Sequence, residues 1–226
     1  LGTATYAYNP RGQLSLVTNP DGSSIAYQYD LLGSVIRMTT KISAAASPRL
    51  TEYAYDPLNR LSRVTSPDGD ETNYTYDSVG NLQSISYPNG VISSYTYDTA
   101  NRLIQLIHSN GSSTLASFNY AYDLRGDATG ITRLNGSTTE YEYDALRRLT
   151  RETYKDGLGI VIMQLTHSYD AAGNRQSTAT AGDIVLFTYD NADKLLSQGT
   201  KTYSYDINGN LVSRSDGSSR SEEHTS

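Results

Sequence analysis

Aromatic or aliphatic residues alternate with polar ones along almost the whole chain, as in Asn73-Tyr74-Thr75-Tyr76 and Leu61-Ser62-Arg63-Val64. Side chains two apart share one face of a strand, whereas on a helix they point well apart. Tyr, Thr, Val and Ile dominate these stretches, and all four favour strands. Gly or Asn interrupts the pattern about every ten residues. The pattern predicts short strands joined by tight turns, with no helix.

The strands repeat. Tyr-x-Tyr-Asp occurs at Tyr27–Asp30, Tyr53–Asp56, Tyr74–Asp77, Tyr95–Asp98, Tyr120–Asp123, Tyr141–Asp144 and Tyr203–Asp206. Degenerate copies end in Tyr8-Asn9, Tyr169-Asp170 and Tyr189-Asp190, with His167 and Phe187 in the first aromatic slot of the last two. The second aromatic falls at Tyr8, Tyr29, Tyr55, Tyr76, Tyr97, Tyr122, Tyr143, Tyr169, Tyr189 and Tyr205, which sets a base period of 21. Three longer steps place extra residues, expected in turns, at 42–49, 109–117 and 155–162. Such periodicity marks a repeat architecture.

Each repeat carries two turn signals. Asp followed by x-x-Gly closes one, the carboxylate accepting backbone N–H groups. The glycines Gly33, Gly80, Gly126, Gly173 and Gly209, with Asn59 and Asn101 in the same place, suit a left-handed residue. Pro20-Asp21-Gly22, Pro67-Asp68-Gly69 and Pro88-Asn89-Gly90 close the other. One repeat is thus two antiparallel strands and two turns, and ten repeats give about twenty strands in meander order. The fold class is all-β: tandem hairpins in one long antiparallel sheet that curls. A closed propeller with two repeats per blade is the competing architecture.

The core Tyr-Asp-x-x-Gly-Arg/Asn-Leu with a downstream Pro-Asp-Gly resembles the YD repeats of the Rhs family, over residues 1–219. That family includes bacterial polymorphic toxins, the C component of insecticidal toxin complexes and animal teneurins. The resemblance implies a β-sheet that spirals into a hollow shell, in bacterial members around a C-terminal toxin. It implies secretion or a cell-surface location, and partners in the remainder of the parent chain: further repeats and a toxin or effector cargo. Nothing in the sequence matches the family's self-cleaving region. The chain reads as a mid-array fragment. Residues 220–226 fit no repeat, resemble a translated sequencing adapter, and are expected to be disordered.

Composition narrows the function. Hydrophobic residues make up 37%, but there are 20 Tyr and a net charge of only −6. Tyrosine is therefore expected to supply much of the packing. The acidic balance argues against nucleic acid, which needs clustered Lys and Arg. No apolar run is long enough for a membrane-spanning helix. With no Cys there is no disulfide or thiolate metal site. One Asp per repeat reads as a turn cap rather than a calcium loop. Glu140 and Glu142 share a strand face, as do Asp68 and Asp70, at a frequency that surface acids produce by chance. His108, His167 and His224 share no metal-ligand spacing, and His167 is expected to pack.

The candidate residues are accordingly structural: the second Tyr and the Asp of each unit, plus the turn glycines. No catalytic set and no cofactor are expected. The module reads as non-catalytic, and the alternative is a binding module whose tyrosine rows stack on glycans or a cell-surface partner.

Overall fold

The structure is a computed structural model that describes residues 2–216 and the backbone of 222–223. It is all-β, and no helix occurs among the described residues. The chain divides into two compact units, residues 1–117 and 118–226.

The first unit contains β1 (Thr5–Tyr8), β2 (Leu14–Thr18), β3 (Ser24–Tyr29), β4 (Val35–Lys41), β5 (Arg49–Tyr55), β6 (Leu61–Thr65), β7 (Glu71–Tyr76), β8 (Leu82–Ser86), β9 (Val91–Tyr97) and β10 (Leu103–Asn110). β11 (Ser113–Tyr122) carries the division. The second unit continues with β12 (Ala128–Arg133), β13 (Thr138–Tyr143), β14 (Leu149–Lys155), β15 (Val161–Tyr169), β16 (Arg175–Ala179), β17 (Ile184–Tyr189), β18 (Leu195–Gln198), β19 (Lys201–Tyr205), β20 (Leu211–Ser215) and β21 (Glu222–Glu223).

Within the first unit the ladder runs unbroken from β1 to β10, each strand antiparallel to its chain neighbours. The same meander runs from β11 to β21 in the second unit. Propeller blades would interrupt such a ladder every four strands, so it does not fit that architecture.

Both turn types turn out to be the same loop. Asp56 accepts from the Asn59 N–H at 2.9 Å and donates its own N–H to the Arg60 carbonyl at 2.9 Å. The Pro-Asp-Gly turn does likewise through Asn19, Gly22 and Ser23. This is a type I turn closed by a left-handed residue, a favoured three-residue hairpin loop. Asn59 and Asn101 take that position at φ 60° and 58°, as expected; Arg147 and Asp193 take it too, at 64° and 59°.

Each Asp-turn hairpin is followed by a bulge. Ala54 faces Arg63 but Tyr55 faces Leu61, so Ser62 is extra. The same one-residue shift recurs next to Tyr8, Tyr29, Tyr76, Tyr122, Tyr143, Tyr169, Tyr189 and Tyr205. The sixth repeat keeps this register, with Tyr122 opposite Ala128.

One expectation needs correction. Of the three insertions, only 42–49 enlarges a turn; those at 109–117 and 155–162 lengthen β10, β11, β14 and β15, because extra residues of alternating pattern extend the ladder. No hydrophobic residue is buried among the described residues, and Tyr76 is half-buried. Among the described residues of each unit, strands contact only their chain neighbours, and no second layer covers the sheet. The backbone of Glu222–Glu223 pairs with Arg214 and Ser213 along the outer edge of β20. The rest of the tail lies outside the described residues.

Candidate functional site

The chemistry of this chain is concentrated at the Asp turns, where each repeat meets the one before it. The aspartate acts first on its own loop. Oδ1 of Asp56 accepts the N–H groups of Leu58 and Arg60, both at 2.9 Å. Asp30, Asp98, Asp123, Asp144, Asp190 and Asp206 each accept the same two N–H groups of their own turns, at 2.8–2.9 Å. Asp77 does so at 3.0 and 2.8 Å, and Asp170 accepts from Asn174 at 2.8 Å. Asn9 does the same through its amide oxygen, at 2.9 and 3.0 Å. Oδ2 takes a further bond from the residue four places on, such as Arg60 Nε at 2.7 Å or Asn210 Nδ2 at 2.9 Å.

These donors favour the ionised form. Backbone N–H groups, chiefly from Arg60, Arg102, Asp127, Arg148 and Lys194, hold Asp56, Asp98, Asp123, Asp144 and Asp190 below the usual carboxylate range. In Asp206 the Asn210 side chain is the largest cause. In Asp77 and Asp170 burial pushes upward, but hydrogen bonds led by Asn81 and Asn174 outweigh it.

The second tyrosine acts on the preceding repeat. The Tyr76 hydroxyl donates to the Leu61 carbonyl at 2.8 Å. Tyr29, Tyr55, Tyr143, Tyr169, Tyr189 and Tyr205 donate likewise to Leu14, Val35, Ala128, Leu149, Arg175 and Leu195, at 2.7–3.1 Å. Each acceptor is the first residue of its strand. Pairing of that strand with the next begins only two residues further on, at Arg63 in the case of β6. The bulge therefore parts neighbouring hairpins at the Asp-turn end, and the phenol fills the gap and closes the ladder. Burial, then Asp30, pushes the Tyr55 hydroxyl up; burial does the same for Tyr97, with Asp77 adding to it.

Turn side chains form a second link. Arg60 lies over the Tyr76 ring at 4.4 Å, Arg148 over Tyr169 at 4.9 Å and Lys194 over Tyr205 at 5.7 Å. Other turns are tied directly: Ser34 to Asn59 at 2.9 Å, Asn81 to Asn101 at 2.9 Å, Asn174 to Asp193 at 2.7 Å, and Arg147 to Asp127 through a short two-pronged ion pair.

The opposite face carries hydroxyl and charge pairs. Thr75 meets Ser84 at 2.7 Å, Ser168 meets Ser177 at 2.7 Å, and Ser204 meets Ser213 at 2.6 Å. Glu142 and Glu140, the paired acids of the sequence, bind Arg151 at 3.0 Å and Lys155 at 2.5 Å. An open recess of about 450 Å³ on β3–β6 is lined by the ion-paired Arg37 and Glu52, with Gln28, Tyr53, Arg63 and Thr65.

His167 departs from a simple packing role. Its side chain is buried, with Nδ1 3.0 Å from Thr178 Oγ1 and Nε2 3.1 Å from Glu152 Oε1. Tyr154 donates to the other Glu152 oxygen at 2.7 Å, and that bond, with burial, pushes its hydroxyl up to about 12. In earlier repeats the first aromatic faces an aliphatic residue, Tyr53 against Val64 and Tyr74 against Ile85. Here Tyr141 faces Glu152 and His167 faces Thr178, so polar groups replace both sides of the pair. The sequence signal was the loss of the aliphatic partner, not the histidine. Among the described residues no group of His, Asp and Glu is arranged to hold a metal ion.

The comparisons agree with this geometry. The RHS Repeat family model matches residues 8–47, 55–92 and 76–113, and the Teneurin YD-shell model matches 111–220. No curated protein matches the chain. Among solved structures, TcdB2-TccC3-TEV superposes at TM-score 0.63 with 16% identity, over 93% of this chain and 15% of that one. TcdB2-TccC3 without its hypervariable C-terminal region gives 0.65 and 15%, over 93% and 15%. The Photorhabdus luminescens Tc holotoxin pore, carrying the TccC3 mutation D651A, gives 0.61 and 15%, over 93% and 14%. The chain thus spans about 15% of the length of the chains it matches. At this identity the likeness shows the fold. Two family models that follow one another along almost the whole sequence, over turns and tyrosine latches of one design, place the chain in the YD/Rhs-repeat family.

Proposed function

We propose that this chain is a non-catalytic wall segment of a β-shell that encloses or displays a C-terminal toxin or effector domain in a secreted or surface-exposed protein. One observation carries the reading: the turn aspartates are engaged in closing their own loops, and seven second-tyrosine hydroxyls end on the neighbouring strand and hold one repeat to the next. Groups engaged in this way build a surface rather than a reaction centre. The fold likeness to TccC3, one structure of which is described as lacking a hypervariable C-terminal region, supports a cargo beyond the repeats. Sugar stacking gains less support, since the second tyrosine rings are half-buried against the preceding repeat.

The test is protease protection in the full parent protein. The polypeptide that follows the repeats should resist digestion while the repeats are intact and become sensitive when two of them are removed. Equal digestion in both would overturn the enclosing role.

A further inference from the structure

We propose that the residues three and four places after each turn aspartate form a two-letter code that selects which repeat can lie beside which. From Asp30 onward the letters are Gly33-Ser34, Asn59-Arg60, Gly80-Asn81, Asn101-Arg102, Gly126-Asp127, Arg147-Arg148, Gly173-Asn174, Asp193-Lys194 and Gly209-Asn210. These nine alternate; the first turn, Gly12-Gln13, instead joins glycine to a long residue. Glycine comes with a short polar residue; a polar left-handed residue comes with a long cation. A period of one repeat does not generate this. The array is written in pairs of repeats.

The contacts explain the alternation. Where the fourth-position residue is short, it hydrogen-bonds or ion-pairs with the left-handed residue of the next turn. Ser34 with Asn59, Asn81 with Asn101, Asp127 with Arg147 and Asn174 with Asp193 are the four cases. Among the described residues, these partners are all of the non-glycine residues at positive φ. A side chain there is strained, and each such residue makes a bond that glycine could not.

Where the fourth-position residue is long, it passes over the next turn and the next left-handed residue is glycine. Arg60 stacks on Tyr76, with its guanidinium 3.9 Å from where a Cβ on Gly80 would sit. Lys194 stacks on Tyr205 with Cε and Nζ 3.6 Å from that point on Gly209. Gln13, the long fourth residue of the first turn, lies 3.2 Å from that point on Gly33. Arg148 stacks on Tyr169 and donates to the Asp170 carbonyl at 3.1 Å, at the start of the turn that contains Gly173. Mixed letters fail in both directions. A side chain at the left-handed position facing a cation carries the strain of positive φ with no short partner to bond, and a short amide facing glycine has nothing to bond.

A double-mutant cycle on the full chain tests the code. Gly80→Asn alone should lower the urea midpoint, and so should Arg60→Asn alone. The double variant rewrites that contact in the form of Asn81–Asn101. It should unfold with an equilibrium constant smaller than additivity requires by roughly fivefold. Strict additivity would overturn the proposal. Repeat deletion gives a second reading. Removing residues 77–97 takes out one repeat and sets Arg60 beside Asn101; removing 56–97 takes out two and sets Ser34 beside Asn101, restoring the match. The longer deletion should retain its sheet signature in circular dichroism to the higher urea concentration. The reverse order, with the one-repeat deletion the more resistant, would refute the code.

Discussion

At the scale of single residues, the phenol of each second tyrosine does two separable things: its ring covers the preceding hairpin and its hydroxyl replaces a missing ladder bond. Tyr76→Phe removes only the bond to Leu61 and should cost about 1 kcal/mol in urea unfolding. Tyr76→Ala removes both and, with the ring half-buried, should cost about 2 kcal/mol rather than the larger loss of a core aromatic. Equal stability of the wild type and the Phe variant would mean that the carbonyl is satisfied by water instead. The aspartate is replaceable by a residue that keeps its oxygen. Asn9 already caps the first turn, so Asp98→Asn should melt close to wild type and Asp98→Ala well below it. The acid response follows from the same cap. Eight turn aspartates have folded-state pKa values below the ordinary 3.8. Their contribution is full above that value and is lost as pH falls through the lower folded values. A pH titration of the thermal midpoint should be level from neutrality to about pH 5 and decline below about pH 4. A midpoint unchanged at pH 2 would remove the carboxylates from the stabilising set.

At the scale of elements, strands and turns were legible because their causes are local. Tyrosines at spacing two declare a strand face, and Asp-x-x-Gly declares a loop. The sequence therefore foretold the left-handed asparagines Asn59 and Asn101. It did not foretell Arg147 or Asp193, because each is held there by a partner from the preceding turn, Asp127 or Asn174. The bulge after each Asp hairpin was invisible for a related reason: an extra residue shows only against its partner strand. The tyrosine latch depends on that bulge, so the second tyrosines could be named while their task could not. His167 was placed in the right slot and given too simple a role, since Glu152 and Thr178 lie on other strands.

At the scale of the molecule, each unit is a chain of nearest neighbours, so its stability is a sum of local terms along the meander. Such a design tolerates added or lost repeats, provided each junction is matched, and it has no centre whose loss unfolds everything at once. The design also sets how the protein responds to heat. Apolar surface newly exposed to water is what gives unfolding its large heat-capacity change, and here no hydrophobic residue among those described is fully withdrawn from water in the native state. Calorimetry should therefore find a heat-capacity increment well under the usual 12–15 cal/mol/K per residue. The free-energy curve would then be shallow, and the sheet would hold nearly the same margin in the cold as at body temperature.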